Sequence, residues 1–283
     1  MTTTTAPLRR TVGDLLREWR QRRRVSQLDL ASEAEVSTRH LSFVETGRSR
    51  PSRELVLHLA EHLDVPLRER NALLLAAGYA PIYHETPLDA AEMAPVRAAL
   101  DTILAGHEPF PAVVVDRHWD LVSANRPALG LLTEDVAPEL LEPPVNALRV
   151  SLHPGGLAPR IANFGEWSAH LVDRLRRQAA ASGDPALVEL SRELVAYPGV
   201  ESGSGHGTSA ADLLFVPLQL HRGGRVLQFF STLATFGTAL DVTIAELAIE
   251  SFFPADDATA EALRREWGRS AGDAASAAGR MTE

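Results

Sequence analysis

The chain has 283 residues, a formal charge of −9, 45% hydrophobic residues and no cysteine. This apolar content is enough to form a core, which excludes wholesale disorder, and the lack of cysteine excludes disulfides, thiolate metal sites and thiol catalysis. No apolar run approaches the ~18 residues of a membrane-spanning helix. We therefore expect a globular cytoplasmic protein without a membrane partner.

Charge is distributed unevenly along the chain. Residues 1–53 contain 11 arginines and six acidic residues, a formal charge of +5, which leaves −14 for the remainder. Such asymmetry predicts a basic module joined to an acidic one. The joint is expected near Gly78, which ends an apolar-periodic segment and precedes several prolines. In chain order, the expected segments are a disordered tail (1–7), an N-terminal domain (8–79), a linker (80–94), a C-terminal domain (95–266) and a second disordered tail (267–283).

The basic module is predicted to consist of five short helices. Apolar residues at positions i, i+3, i+4 and i+7 from Val12 to Trp19 form one face of the first helix. Ser26, with Asp29 three residues later, is a capping signal for the second helix, and Ser37 begins a third that ends at Gly47. The last two helices are expected to start at Pro51-Ser52 and at Pro66. Five such helices, with a three-residue turn between the second and the third, match a helix-turn-helix domain.

The segment from Ser26 to Pro51 carries a specific motif. It reads SQLDLASEAEVSTRHLSFVETGRSRP, and this pattern resembles the λ-repressor-like (XRE/Cro) family over about residues 8–78. The resemblance implies a regulator that binds a double-stranded DNA operator as a homodimer. Glu35 departs from the family because it occupies the turn position at which glycine is usual, and a left-handed glutamate costs on the order of 1 kcal/mol.

In domains of this family the third helix lies in the major groove. Carried over position by position, the resemblance implies a base contact by Arg39, whose guanidinium suits the edge of a guanine, and a phosphate contact by Gln27. The alternative for each residue is an ordinary solvated face. The expected base contacts are Ser37, Thr38, Arg39 and Ser42, and the expected backbone contacts are Gln27, Arg48 and Arg50.

The acidic module is predicted to mix helices and strands. Residues 111–116 and 119–124 are typical of a hairpin, Asn125 caps a short helix, and two longer amphipathic helices follow. The closing strands are expected at 213–221, 225–236 and 242–253, with Gly223-Gly224 between the first two. Paired strands at each end with helices between them suit a PAS-like fold, in which helices cover one antiparallel sheet.

Three stretches look like the ligand-binding domain of MmyB-like transcription regulators, namely VVVDRHWDLVSANRPA (113–128), NALRVSLHPGG…RIANFGEWSAHLVDRLR (146–176) and FFSTLATFGTALDVTIAELAIESFFPADDATAEALR (229–264). The resemblance covers about residues 93–265. It implies a PAS-like fold, a buried apolar pocket for a fatty acid or similar lipid, and action as a DNA-binding regulator.

A ligand with a long acyl chain needs apolar walls and a cation or several donors at its polar end. The guanidinium of arginine suits a carboxylate. The alternatives are plain core packing for the aromatic candidates, and a helix cap, a surface position or a structural ion pair for the polar ones. The expected ligand contacts are Asn125, Arg149, Arg160, Asn163, Trp167, His170, Phe229, Thr232 and Phe236.

No catalytic or metal site is expected. His58 and His62 are spaced i, i+4 but do not form the H-E-x-x-H pattern, and Gly203-Ser-Gly205 lacks the strand and helix that flank a nucleophile elbow. We expect no cofactor other than a bound fatty acid. The leading hypothesis is a ligand-responsive transcription factor. The alternatives are a regulator whose PAS-like domain serves only for protein interaction or dimerisation, and an enzyme that carries a helix-turn-helix.

Overall fold

The structure is a computed structural model that describes residues 10–201 and 216–279, and for 269–279 it describes the backbone alone. The chain forms two compact units. The helices are α1 (Val12–Arg22), α2 (Gln27–Glu33), α3 (Thr38–Glu45), α4 (Arg53–His62), α5 (Leu67–Ala76), α6 (Ala94–His107), α7 (Arg126–Thr133), α8 (Ala147–Leu152), α9 (Phe164–Ser182), α10 (Pro185–Val195), α11 (Val242–Ala245) and α12 (Asp257–Gly279). The strands are β1 (Ala112–Val115), β2 (Leu121–Ala124), β3 (Leu218–Arg222), β4 (Arg225–Thr235) and β5 (Ala248–Pro254).

The first unit contains α1–α5 and two short segments from later in the chain, Ala180–Ser182 and Thr238–Ala245. The five helices begin where the sequence predicts, because their caps are local. The hydroxyls of Ser26 and Ser37 each accept a hydrogen bond of 3.1 Å from a backbone N–H in the first turn of the helix. The apolar faces meet in one core, which includes Leu16, Leu30, Leu41, Val56, Leu59, Leu73 and Leu74. The predicted helix-turn-helix architecture is confirmed.

The turn between α2 and α3 keeps its shape despite the glutamate. Glu35 has a φ of +52°, in the left-handed region expected for this position. The N–H of Val36 donates to the carbonyl of Ala31 at 2.9 Å and closes the turn. The Glu35 side chain is exposed. The departure from glycine therefore changes the conformational cost of the turn and not its geometry.

The second unit is built on one antiparallel sheet with the strand order β2-β1-β5-β4-β3. One face, the inner face, packs against α7–α10 through Val113, Val115 and Phe229. The opposite face, the outer face, packs against Leu100 and Leu104 of α6. The hairpin turn at Gly223-Gly224 has φ values of +54° and +72°, which favour glycine. This arrangement confirms the PAS-like fold predicted from the sequence.

Three elements differ from the sequence predictions. The strand expected from residue 242 begins only at Ala248, because a carboxylate oxygen of Asp241 accepts the N–H of Thr243 at 2.9 Å and starts the short helix α11. Helix α6 was not predicted, since its sequence follows the prolines that marked a linker. Helix α12 continues to Gly279, beyond the tail boundary expected at 267, and its last part is rich in alanine, the best helix former.

The remaining expected tail residues, 1–7 and 280–283, lie outside the described residues. Within the described part of the chain, the helices are too short or too polar to cross a bilayer.

Candidate DNA interface and ligand site

A buried ionic network fixes the C-terminal half of α3. The carboxylate of Glu45 accepts two hydrogen bonds from the Arg20 guanidinium, at 2.7 and 2.9 Å, and a third from the amide of Gln27 at 2.7 Å. The Glu45 side chain is 1% exposed and that of Arg20 is 11% exposed. The bond to Glu45 raises the pKa of Arg20, so the guanidinium stays charged. The network joins α1, α2 and α3 at the side of the turn.

The N-terminal turn of α3 is exposed. Ser37 caps the helix, and Thr38 and Arg39 follow it on the surface. One turn later, the half-buried ring of Phe43 lies near two guanidinium groups: that of Arg39 is 5.3 Å from the ring centroid and that of Arg48 is 5.9 Å from it. The ring therefore supports both cations from the side while leaving their N–H groups exposed.

Two of the expected backbone contacts have structural partners. The Arg50 guanidinium donates two hydrogen bonds, of 3.2 and 3.0 Å, to the carbonyl of Ala77 at the end of α5, and it lies over the Tyr79 ring. The amide nitrogen of Gln27 is committed to Glu45. Ser42 is half-buried within α3. Of the two exposed arginines just after α3, Arg50 is hydrogen-bonded to Ala77, whereas the contact described for Arg48 is with the Phe43 ring.

Four of the expected ligand contacts are used to hold the second unit together. Asn125 caps α7 and also accepts the N–H of Ala112 at 3.0 Å, and Asn163 donates to the carbonyl of Pro217 at 2.7 Å. The remaining two pair with glutamates, Arg149 with Glu193 at 2.7 Å and Arg160 with Glu134 at 3.5 Å. These are the structural alternatives that the sequence left open.

The Arg149–Glu193 pair extends to an aromatic hydroxyl. The Tyr197 hydroxyl donates to the Glu193 carboxylate at 2.6 Å. Burial, reinforced by this bond, raises the pKa of Tyr197 to about 12. Tyr197 therefore remains a donor at neutral pH, and the network is a structural brace between α8 and α10.

The other five expected ligand contacts are split between the two faces of the sheet. Trp167 and Phe229 are buried in the core on the inner face, and His170 stacks on Trp167 with ring centroids 5.8 Å apart. Thr232 alternates with Phe229 along β4, so it lies on the exposed outer face. Phe236 packs with the α6 cluster on that same side. Trp167, His170 and Phe229 are thus the three expected residues that lie close together on the inner face.

Sequence reasoning missed a charged cluster on the inner face. Arg174 of α9 pairs with the buried Glu250 of β5 at 3.0 Å, and Ser231 of β4 donates to the same carboxylate at 3.0 Å. The Arg174 guanidinium lies 4.2 Å from the centroid of the Trp119 ring, and its buried Nε has no hydrogen-bond partner among the described residues. The available signal in the sequence was the position of Arg174, which lies four residues after His170 and seven after Trp167 and therefore on the same face of α9.

His170 belongs to the same region. Burial lowers the pKa of His170, and the nearby Arg174 and Arg177 lower it further, against the opposing effect of Glu250. The imidazole is therefore neutral at physiological pH, and it offers one donor and one acceptor to its surroundings.

The histidine pair of α4 has a structural contact. The Nε2 atom of His58 is hydrogen-bonded to the carbonyl of Ala34 at 2.9 Å, and the ring of His62 meets that of His58 edge-on at 4.7 Å. The contact ties α4 to the C-terminal end of α2, so the i, i+4 spacing here serves helix packing.

A helix-turn-helix unit followed by a PAS-like unit defines a class of transcription regulators with a DNA-binding and a ligand-binding part. Residues 96–265 match the family model described as the MmyB-like transcription regulator ligand binding domain, and residues 11–73 match one described as a helix-turn-helix domain. The chain belongs to the family of MmyB-like transcription regulators.

Among solved structures, the chain is similar to an RNA-binding light-oxygen-voltage receptor at 17% sequence identity and a TM-score of 0.26, over 94% of this chain. The chain spans 64% of the length of that receptor chain. No curated protein matches it.

Proposed function

We propose that the first unit binds a double-stranded DNA operator with α3 in the major groove, and that the second unit binds a small apolar ligand that alters this binding. The contrast along α3 carries the DNA half of the proposal. Glu45 fixes the C-terminal half of the helix in the core, whereas Thr38 and Arg39 in the first turn are exposed. The first residues of this helix are those that contact base edges in helix-turn-helix proteins.

Arg39 has the most discriminating chemistry in this turn. A bidentate pair between arginine and guanine contributes about 1–3 kcal/mol of discrimination. Phe43 supports the Arg39 guanidinium, which reduces the entropy lost when it orders on DNA. Arg48, which lies near the same ring, suits a backbone phosphate. Gln27 and Arg50 contact DNA only through the polar atoms that are not used in their hydrogen bonds to Glu45 and Ala77.

The test compares arginine variants by fluorescence anisotropy on an operator selected by the wild-type protein. Arg39→Ala is expected to weaken operator binding about 5- to 150-fold and to leave binding to unrelated DNA nearly unchanged. Arg48→Ala is expected to weaken binding to all sequences and to reduce the salt slope by about 1. Arg17→Ala removes the same charge from an exposed site on α1 and is the matched control. Equal loss of specificity from Arg39→Ala and Arg48→Ala contradicts the assignment.

For the second unit the proposed ligand is a fatty acid or a similar lipid. The match to a ligand-binding domain supports a small-molecule site in this unit. The inner face supplies aromatic walls at Trp167 and Phe229, and it places polar groups, His170 and Arg174, on the helix that faces the sheet. Apolar walls with a few polar groups are the usual composition of a small-molecule site.

The ligand is tested by mass spectrometry of an organic-solvent extract of the purified full-length protein. We expect a lipid near one equivalent per chain, and we expect its removal and re-addition to change DNA affinity, because a ligand that prefers one sensor conformation shifts the equilibrium. A lipid-free protein whose DNA affinity does not respond to saturated fatty acids would instead support a PAS-like unit that acts in protein interaction alone.

A further inference from the structure

Strand β4 extends beyond its neighbour β3 at one edge. Its residues 225–229 pair with β3, whereas residues 229–235 pair with β5 on the opposite edge. Within the described part of the chain, the edge of β4 that faces β3 therefore has no paired strand from residue 230 to residue 235. Residues 232–235 are also exposed. An open edge of this kind presents backbone donors and acceptors that can pair with another strand.

The ladder with β5 shows which backbone groups lie on the open edge. The carbonyl of Gln228 accepts the N–H of Ala255 at 2.8 Å, so the even-numbered residues of β4 direct their backbone groups toward β5. The register between β4 and β5 continues without a shift as far as Thr235. The odd-numbered residues therefore direct their N–H and C=O groups to the open edge. In the unpaired stretch these are Ser231, Leu233 and Thr235.

The composition of this stretch favours pairing with a further strand. Residues 230–236 read FSTLATF, without a charge, a proline or a glycine. Natural proteins usually protect an open edge with charged side chains, prolines or bulges. This stretch has none of these residues, and its register with β5 shows no bulge. In its middle, Leu233 is 46% exposed and offers an apolar contact beside the backbone groups.

The stretch is complementary to itself under two-fold symmetry. In an antiparallel pair, two residues that exchange both backbone hydrogen bonds lie directly opposite each other. One register of two copies pairs all three outward-directed residues: Leu233 lies opposite Leu233 of the second copy, and Ser231 lies opposite Thr235. Moving the axis by one residue in either direction leaves one of the three without a strand partner. Because the stretch is uncharged, no like charges face each other in this register.

We propose that residues 231–235 of β4 are a homodimer contact, in which the open edges of two copies pair antiparallel with the two-fold axis at Leu233. The contact is isologous, since the same residues serve on both sides, and it closes after two copies. It does not depend on the proposed DNA or lipid binding. The competing occupants of the edge are a strand from a different protein and another segment of the same chain.

The first test places charge at position 233 in the full-length protein and measures self-association by sedimentation equilibrium without DNA. Leu233→Lys and Leu233→Glu are each expected to weaken dimerisation roughly 5-fold or more, because like charges replace an apolar contact on the axis. An equimolar mixture of the two variants is expected to recover dimers, because opposite charges then meet. Val226→Lys is the matched control: Val226 is 40% exposed, but it lies where β4 is already paired with β3.

The second test uses the absence of cysteine from the chain. Leu233→Cys is expected to form a disulfide-linked dimer under mild oxidation, because Cβ atoms directly opposite each other in an antiparallel pair lie about 4.5–5.5 Å apart. Val226→Cys is the control and is expected to remain unlinked under the same conditions, since its position on β4 faces β3 of the same chain.

The proposal is overturned if the wild-type protein stays monomeric up to its solubility limit, or if Leu233→Lys dimerises as well as the wild type. It is also overturned if the mixture of the lysine and glutamate variants does not recover dimers, or if Leu233→Cys is linked no faster than Val226→Cys. These results would assign the edge to another segment of the same chain or to a different protein. Because DNA is absent from both tests, they are independent of the operator proposal.

Discussion

Glu45 is the side chain that holds α3 in place. Its replacement by alanine leaves Arg20 buried without its partner, so Glu45→Ala is expected to lower the free energy of unfolding by about 3–5 kcal/mol, as measured by urea unfolding. Glu18→Ala is the matched control, because Glu18 pairs with Arg22 at 2.9 Å but is 37% exposed. Its loss is expected to cost under about 1 kcal/mol. Equal effects of the two variants would show that the Glu45 network does not anchor the helix.

His170 makes stability depend on pH. Because its pKa in the folded protein is lowered below 6.5, mainly by burial, the unfolded chain binds more protons than the folded one as pH falls through that range. Stability is therefore expected to decrease from pH 7 to pH 5, and His170→Gln is expected to flatten this decrease in a series of thermal unfolding curves. The lowered carboxyl pKa values of Asp184 and Glu193 act in the same direction at lower pH and are retained in the variant. An unchanged profile contradicts a neutral, half-buried His170.

Residue roles that depend on near neighbours were accessible from the sequence, and those that depend on the fold were not. Ser26 and Ser37 were predicted as caps because each bonds to a backbone group three residues away. The Arg174–Glu250 pair joins residues 76 positions apart, and no local pattern connects them. Among the ligand candidates, polar side chains in apolar stretches were recognised, but their structural partners, such as Glu193 for Arg149, lie on other helices.

At the scale of elements, α1 and α3 approach each other through Gly13. A Cβ atom at this position would lie 2.4 Å from the carbonyl oxygen of Val44, so Gly13→Ala forces the two helices apart. We expect this substitution to lower the free energy of unfolding by about 1–3 kcal/mol. Gly106→Ala in α6 is the control, because a Cβ there has nothing within 4 Å and alanine favours helix by roughly 0.5–1 kcal/mol. The two substitutions are therefore expected to change stability in opposite directions, and a gain from Gly13→Ala contradicts the close contact.

Element types were predicted where periodicity and caps agree, as in α1–α5 and the two hairpins. The start of β5 was misplaced because the apolar residues of α11 continue the strand pattern, and only the capping by Asp241 interrupts it. The extent of α12 was underestimated because its alanine-rich end has no apolar stripe. Helix formation there follows from propensity and from continuation of an existing helix, both of which a search for amphipathic periodicity overlooks.

At the scale of the whole molecule, the net charge of −9 is the sum of a basic N-terminal segment and an acidic remainder. The first 53 residues carry +5 and the rest of the chain, which includes α4 and α5 of the first unit, carries −14, so the arginine-bearing N-terminal segment is the electrostatically favoured contact for DNA. Every cation of the chain is arginine, whose planar guanidinium suits both phosphate and guanine. Arg39 in the first turn of α3 has the chemistry for a base contact. Arg48, just after the end of α3, has the chemistry for a contact with the DNA backbone.

The most direct test of sequence-specific DNA binding is selection of binding sites from a random DNA library at physiological salt, followed by sequencing. The wild-type protein is expected to enrich one motif, arranged as two related half-sites about one helical turn apart because helix-turn-helix regulators bind as dimers. The same selection with Arg39→Ala is expected to lose preference at the guanine of each half-site. Failure of the wild-type protein to enrich any motif over the input library, with binding that depends on salt alone, would contradict the account.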